Sequence, residues 1–343
     1  MTKTLLKSNR LIHGKIRYLN EFLGLFRESL KHSTSLTLVQ DKLQTIKKND
    51  IVLFSTMKNE SHRLPFFLDF YRAMGVNHFI FVDNDSNDGF SEVIENCADV
   101  TAYHTKESYK DSNFGMHWIN YLLNKHGVDK WCFTCDPDEF FVYPYDDSRN
   151  LRDLTEYLDS IRQRSFFTIM VDMYSNKPIS ETNYTNNQDP LEICPYFDGV
   201  GYSKQYSSNY KNLYVQGGVR QRVFACSKPE SAPALNKVPL IKWKFGYAYV
   251  SSMHMAIPRH LNRCVDTHKV SGALLHYKFI AQLQEKVSCE LEAKQHYNDS
   301  AEYKQYGAVI EKEEELYDSQ VSMQFKDWKP LPRLGLINRG EWK

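Results

Sequence analysis

Disulfide scaffolding is the first thing this sequence argues against. Its 343 residues include seven cysteines, an odd number without framework spacing, which fits a reducing compartment. No second CxxC accompanies Cys132 and Cys135 to complete a zinc site. That pair sits inside an apolar run and reads as two buried strand cysteines. No apolar run is long enough to suggest a transmembrane helix. Residues 1–10 lack an apolar core followed by small residues, so they do not read as a secretory signal. The net charge of +1 gives the whole molecule no nucleic-acid signal. Internal repeats, low-complexity tracts and the dense His/Asp motifs of two-metal phosphoesterases are missing too. The expectation is a cytoplasmic protein.

What is present is enough apolar residue, 42%, to bury a core, and a high aromatic share, 14%. Tyr and Phe suit sugar-facing clefts, although residue by residue most of them pack cores. The length suits one large or two small domains. Charge is uneven. Residues 1–48 carry ten Lys/Arg and three acids, so 10 − 3 = +7 against 1 − 7 = −6 for the rest. A basic arm on an acidic body is compatible with docking on an anionic membrane face, or simply with a solvated helix. Residues 1–48 read as helical from their apolar spacing.

From residue 49 short apolar runs alternate with amphipathic stretches. Strands are expected over 51–55, 78–82, 100–104 and 131–134. Helices are expected over 64–74, 90–96 and 113–125, the first with Pro65 in its opening turn and Gly75 at its end. This alternation predicts an α/β protein with a doubly wound, mainly parallel sheet. Beyond residue 145 a helix over 151–162 and a strand over 166–172 precede a polar loop over 176–188. Further strands are expected over 217–226, 237–244 and 248–254, and a charged helical tail over 285–316. Expected boundaries are a basic helical extension (1–48), a main domain (49–284, with a nucleotide half to about 145) and the tail (285–343).

Doubly wound sheets bind ligands beyond the carboxyl ends of their strands, and there the polar clusters fall. Asp136-Pro137-Asp138-Glu139 follows the run Trp131–Thr134. Two aspartates at i and i+2 just past a strand can turn toward one divalent cation, with a diphosphate completing its shell. A surface turn capped by acids is the plain alternative. Asp83 and Asp85, in the stretch 82–89, can accept hydrogen bonds from a ribose or a base, while Asp88-Gly89 reads as turn. Lys58-Asn59-Glu60 follows the first strand, where a nucleoside can lie against the loop.

These residues add up to a family. STMKNE (55–60), LPFFLDFYRAMGV (64–76), HFIFVDNDSNDG (78–89), DPDEFF (136–141), DMY (172–174), YFD (196–198), GGVRQRVF (217–224), KVPLIKW (237–243) and GALLHYKF (272–279) resemble, in order, the motifs of family 2-like bacterial glycosyltransferases. The resemblance covers roughly residues 50–310. It implies a GT-A fold, a nucleotide-sugar donor with UDP favoured, a divalent metal (Mn or Mg) and a role in surface polysaccharide or lipopolysaccharide synthesis. The partner it implies is a glycan or lipid-linked glycan acceptor. Asp136 and Asp138 match the metal and diphosphate motif. Asn59, Glu60, Asp83 and Asp85 match donor-nucleoside positions. His276 is the candidate to complete the metal shell, with His254 as rival. Arg220, Arg222, Lys237 and Lys278 stand where basic groups hold a diphosphate. The family's usual base motif has no clear copy here. Asp198, Asp172 and Glu139 are candidates, and Asp198 is favoured because Tyr196 and Phe197 precede it. Inversion is implied by the resemblance alone. A metal-dependent phosphoester hydrolase and a non-catalytic glycan- or partner-binding protein of the same fold are the competing readings.

Overall fold

The computed structural model describes residues 2–208, 210–263, 269–284, 286–288 and 297–343, with only the course of the backbone at 2–17, 263 and 297–302. The four expected apolar runs form strands β2 (Ile51–Met57), β3 (His78–Asp83), β4 (Val100–His104) and β5 (Trp131–Thr134). Almost every residue of these strands is buried. Strands buried on both faces read as continuous apolar runs instead of alternating ones, which is why these were legible. Between them lie α2 (Leu64–Met74), α3 (Phe90–Ile94) and α4 (Met116–His126), preceded in the chain by α1 (Thr2–Ser33) and β1 (Thr37–Gln40). Helix α2 begins where expected. Gly75, at φ 109°, ends it by donating its N–H to the carbonyls of Tyr71 and Arg72, a conformation that glycine adopts without a Cβ penalty.

After β5 come β6 (Glu139–Val142), α5 (Leu151–Ser160), β7 (Ser165–Asp172), α6 (Pro190–Ile193), β8 (Tyr196–Asp198), β9 (Tyr202–Ser207), β10 (Asn212–Gly217), β11 (Asn236–Lys242), β12 (Ala248–Ser251), β13 (Met255–Ile257), β14 (Gly272–His276), α7 (Tyr297–Glu311) and β15 (Ser322–Gln324). Nine strands make one sheet in the order β1-β4-β3-β2-β5-β11-β7-β14-β6. Pairing directions show β2, β3, β4, β5, β7 and β14 running one way and β1, β6 and β11 the other. The fold is therefore mixed α/β with a large, mainly parallel central sheet and a helical extension at its N-terminal side. The hairpins β9–β10 and β12–β13 and the pair β8–β15 are small additions. Cys132 and Cys135 are buried free thiols, as the apolar setting of the CxxC predicted.

Three expectations change. Residues 1–48 are not helical throughout, because β1 adds an antiparallel edge strand to β4. Residues 217–226 are not a strand. Gly217 (φ 142°) and Gly218 (φ 61°) break extended backbone, and the chain continues into a short π-helical turn over Arg220–Phe224. The C-terminal tail is not simply helical. Residues 286–288 and α7 are helical, but after α7 β15 pairs with β8 and Trp328 and Trp342 enter the core. Part of the expected tail helix, residues 285 and 289–296, lies outside the described residues, as do the side chains of Lys3, Lys7, Arg10, Lys15 and Arg17 from the basic arm.

Helix α1 joins the body through aromatic rings. Phe22 and Phe26 pack edge-on against Phe245, with centroids 6.0 and 5.7 Å away. Tyr18 donates its hydroxyl proton to the Gly246 carbonyl at 2.7 Å. Among the described residues no helix is long and apolar enough to cross a membrane.

Candidate functional site

Strand direction explains where the polar residues meet. Six strands end at one edge of the sheet, and the antiparallel β6 and β11 begin there. The register places His276 opposite Asp172 on one side and Glu139 on the other. Asp136 and Asp138 leave the end of β5, and Lys237 enters near the start of β11.

The core of the site is a buried chain of charges. Arg220 donates two hydrogen bonds to Asp172, Nε to Oδ2 at 2.8 Å and Nη2 to Oδ1 at 2.7 Å. Asp172 Oδ1 in turn lies 2.6 Å from Nδ1 of His276. That contact fixes the ring and leaves Nε2 facing Asp138, 3.4 Å from Oδ2. A carboxylate that holds one imidazole nitrogen so that the other can bind a cation is the usual support of a metal-ligating histidine. Asp138 and His276 thus offer one oxygen and one nitrogen to a common point, and this donor set fits a divalent ion such as Mn²⁺. Burial pushes the Asp138 carboxyl up, but His276 beside it outweighs that and leaves it well below the usual carboxylate range. His276 moves the opposite way. Burial lowers its pKa, and Asp138 and Asp172 together raise it.

Lys237 forms the second part. Its side chain is buried, and its ammonium donates to Asp136 Oδ2 at 2.8 Å and also to Glu139. Burial acts to lower the lysine's pKa. The two carboxylates overcome this and raise its pKa. Burial pushes Glu139 up to about 7 despite the lysine. Asp136 remains 43% exposed, so it faces outward while Asp138 faces in.

The loops at the ends of β2 and β3 support each other. Asn59 accepts from the Asn87 N–H and gives its own N–H to Ser86, both at 2.9 Å. The Ser61 N–H reaches Asp88 at 2.7 Å. Glu60 is buried and pairs with Arg63 at 3.1 Å and with Lys286. Asp83 is buried at the end of β3 and accepts the Ser86 N–H. Asp85 is exposed, 3.3 Å from His104 and 3.6 Å from Lys106.

Asp198 stands in a separate cluster with Arg222. Its carboxylate takes two hydrogen bonds from Arg222, at 2.9 and 2.8 Å, and another from the Tyr174 hydroxyl. Asp198 and Arg222 also line a cleft of about 390 Å³ together with Val200, Gly218 and Gln221. Lys278 lies over the rings of Tyr303 and Tyr306, 5.0 and 4.7 Å from their centroids. His254 is held at 2.6 Å to the Asn236 carbonyl, and burial lowers its pKa to about 4. His276, beside Asp138, is therefore the better placed of the two histidines considered for a metal.

Arg63 was missed by sequence reasoning. Its Nη1 donates to the Tyr277 carbonyl at 2.9 Å, while the Tyr277 N–H donates to the Asp138 carbonyl at 2.9 Å. Its spacing of three from Glu60 was the one available signal.

Fold and site together define an α/β protein with a buried acid–imidazole–base cluster at the carboxyl ends of its parallel strands. No protein-family profile and no curated protein matches the chain. Among solved structures it is similar to a mannosyltransferase, PcManGT from Pyrobaculum calidifontis, in complex with GDP-Man and Mn²⁺. That match has 16% identity over 49% of this chain and 46% of that one, with a TM-score of 0.26. It is also similar to a 4-diphosphocytidyl-2C-methyl-D-erythritol synthase, at 10% identity over 80% of this chain and 95% of that one, again with a TM-score of 0.26. The chain spans less than half the length of the first.

Proposed function

We propose that the protein is a metal-dependent glycosyltransferase of GT-A type. It moves a sugar from a nucleoside diphosphate, UDP in the first instance, to a hydroxyl of a surface polysaccharide or lipopolysaccharide acceptor, with inversion. One observation carries the reading: Asp138 and His276 converge at the carboxyl edge of the sheet, with Asp172 and Arg220 fixing the imidazole from behind. The ordered motifs of the sequence add independent support.

A divalent ion held by Asp138 and His276, with Asp136 at its outer side, would neutralise charge gathering on the leaving diphosphate. The chain's own residues do the rest. Lys237 holds Asp136 in place. The loops carrying Asn59, Glu60, Asp83 and Asp85 offer oxygens to the nucleoside. The cleft beside Asp198 and Arg222 receives the acceptor. Asp198 is the assigned base: Arg222 and the Tyr174 hydroxyl hold its carboxylate, and Oδ2, which accepts a single bond from Arg222, keeps an acceptor site for an incoming hydroxyl.

The test is calorimetric binding of UDP, with GDP as comparison, with and without Mn²⁺, to wild type and Asp138→Ala. Binding of UDP that needs Mn²⁺ and is lost in the variant is expected. Binding of neither nucleotide under any metal condition would sink the proposal and favour the non-catalytic reading.

A further inference from the structure

The residues outside the candidate active site hold a second set of metal-ligating side chains. Glu28 and His32, one turn apart near the end of α1, meet His117 in the first turn of α4. One potential ligand atom from each lies within 4.8 Å of the other two. The imidazoles of His32 and His117 stack, with centroids 4.9 Å apart and planes 14° from parallel.

An ordinary ion pair accounts for part of this. His32 Nδ1 lies 2.7 Å from Glu107, and its Nε2 lies 3.7 Å from Glu28. That leaves His117. Only 8% of this residue is exposed, and its Nδ1 is buried with no hydrogen-bond partner among the described residues. Orphaned buried nitrogens are costly and rare. A residue kept for packing alone would not need an imidazole beside a second imidazole and a carboxylate.

The support around the cluster is also of the kind a metal needs. Glu107 holds His32 by Nδ1, and Glu107 is itself fixed by the Ser35 hydroxyl at 2.8 Å and the Trp118 indole N–H at 2.9 Å. A carboxylate on Nδ1 orients Nε2 for a cation, here toward Glu28. Burial lowers the His117 pKa, the direction that favours the neutral imidazole metals bind. Ligands of a tetrahedral Zn²⁺ with bonds near 2.0–2.1 Å lie roughly 3.3–3.5 Å apart. Glu28 is half exposed, so a turn of its side chain shortens its own distances to the two imidazoles, and a small rotation of the rings brings their nitrogens together.

We propose that Glu28, His32 and His117 form a zinc site, with two imidazoles, one carboxylate and an open fourth position for water, and that it clamps α1 onto α4. Zn²⁺ suits this nitrogen-rich set. The site shares no ligand with Asp138 and His276 and does not depend on the function proposed above.

The test uses the full chain freed of metal, titrated with Co²⁺ and followed by visible absorption, then with Zn²⁺ in competition. Wild type, Asp138→Ala, Glu28→Gln and His117→Gln are compared. One Co²⁺ per chain, beyond any taken up by Asp138 and His276, is expected to give the strong visible bands of low-coordinate cobalt, displaced by Zn²⁺ and unchanged in Asp138→Ala. Affinity should fall tenfold or more in Glu28→Gln and the bands should vanish in His117→Gln. Glu28 is exposed enough that its variant folds, so a misfolded His117→Gln leaves the question answerable. Absence of the bands in wild type, their loss in Asp138→Ala, or equal affinity in wild type and Glu28→Gln would overturn the proposal.

Discussion

Asp172 contributes to the candidate site without facing a ligand. It is buried, and both its oxygens are taken, by Arg220 on one side and by Arg220 and His276 on the other. Burial pushes its carboxyl up, and Arg220 and His276 hold it far below the usual range regardless. Removing one partner of such a buried pair strands the other charge, which costs about 3–5 kcal/mol. Asp172→Asn should therefore lower urea-unfolding stability by about that amount. Where the protein still folds, Mn²⁺ affinity should fall by roughly 10–100-fold, because the imidazole loses the group that orients it. Equal Mn²⁺ affinity in wild type and variant would show that Asp172 only packs.

At the scale of elements, two glycines have opposite roles. Gly217 ends β10 with φ 142°, and a Cβ there would meet the Gly201 carbonyl oxygen at 2.3 Å and Tyr202 Cα at 2.7 Å. Backbone cannot yield as a flexible side chain does, so Gly217→Ala should cost about 1–3 kcal/mol or more. Gly24 lies mid-helix in α1 with nothing within 4 Å of an added Cβ. Gly24→Ala should gain roughly 0.5–1 kcal/mol. Thermal melts of the two variants should shift in opposite directions.

The same elements show what a reader of the sequence could see. Both ends of α2 were legible because Pro65 and Gly75 carry their own backbone rules. The strands β2, β3, β4 and β5 were legible because burial on both faces leaves a continuous apolar run. Strand β1 was not, since three of its four residues are exposed and pairing with β4 alone makes it a strand. Val219 and Phe224 suit a strand or a turn equally, so the π-helical turn was hidden until the glycine torsions were known. The candidate metal pair Asp138 and His276 was named from motifs. Their supporting contacts were not, because Asp172 and His276 stand 104 residues apart and Arg63 and Tyr277 214 apart. No local pattern records such a distance.

For the whole molecule, acidity is a weak point that can be located. His78 starts β3, where its ring sits between the hydroxyls of Thr45 and Thr101 at 3.2 and 3.0 Å, and burial lowers its pKa to about 4. In the unfolded chain it titrates near 6.5. The fold thus favours the neutral ring. Its stabilisation is complete above pH 6.5 and is lost as pH falls toward 4, because the unfolded state takes up the proton first. The stability gap between wild type and His78→Gln should narrow by about 1–2 kcal/mol between pH 7 and pH 5. A gap that stays constant in urea titrations at the two pH values would contradict this.

An ammonium buried between Asp136 and Glu139 gives the protein a counter-ion of its own. An anion approaching the carboxyl edge meets four acids, Asp136, Asp138, Glu139 and Asp172, which Lys237 and Arg220 offset only in part, so like-charge repulsion is reduced but not removed while the metal position is unfilled. Under the proposed function, the excess of acid at the unfilled metal position sets an order of arrival: the cation comes first or together with the donor, in keeping with nucleotide binding that needs Mn²⁺.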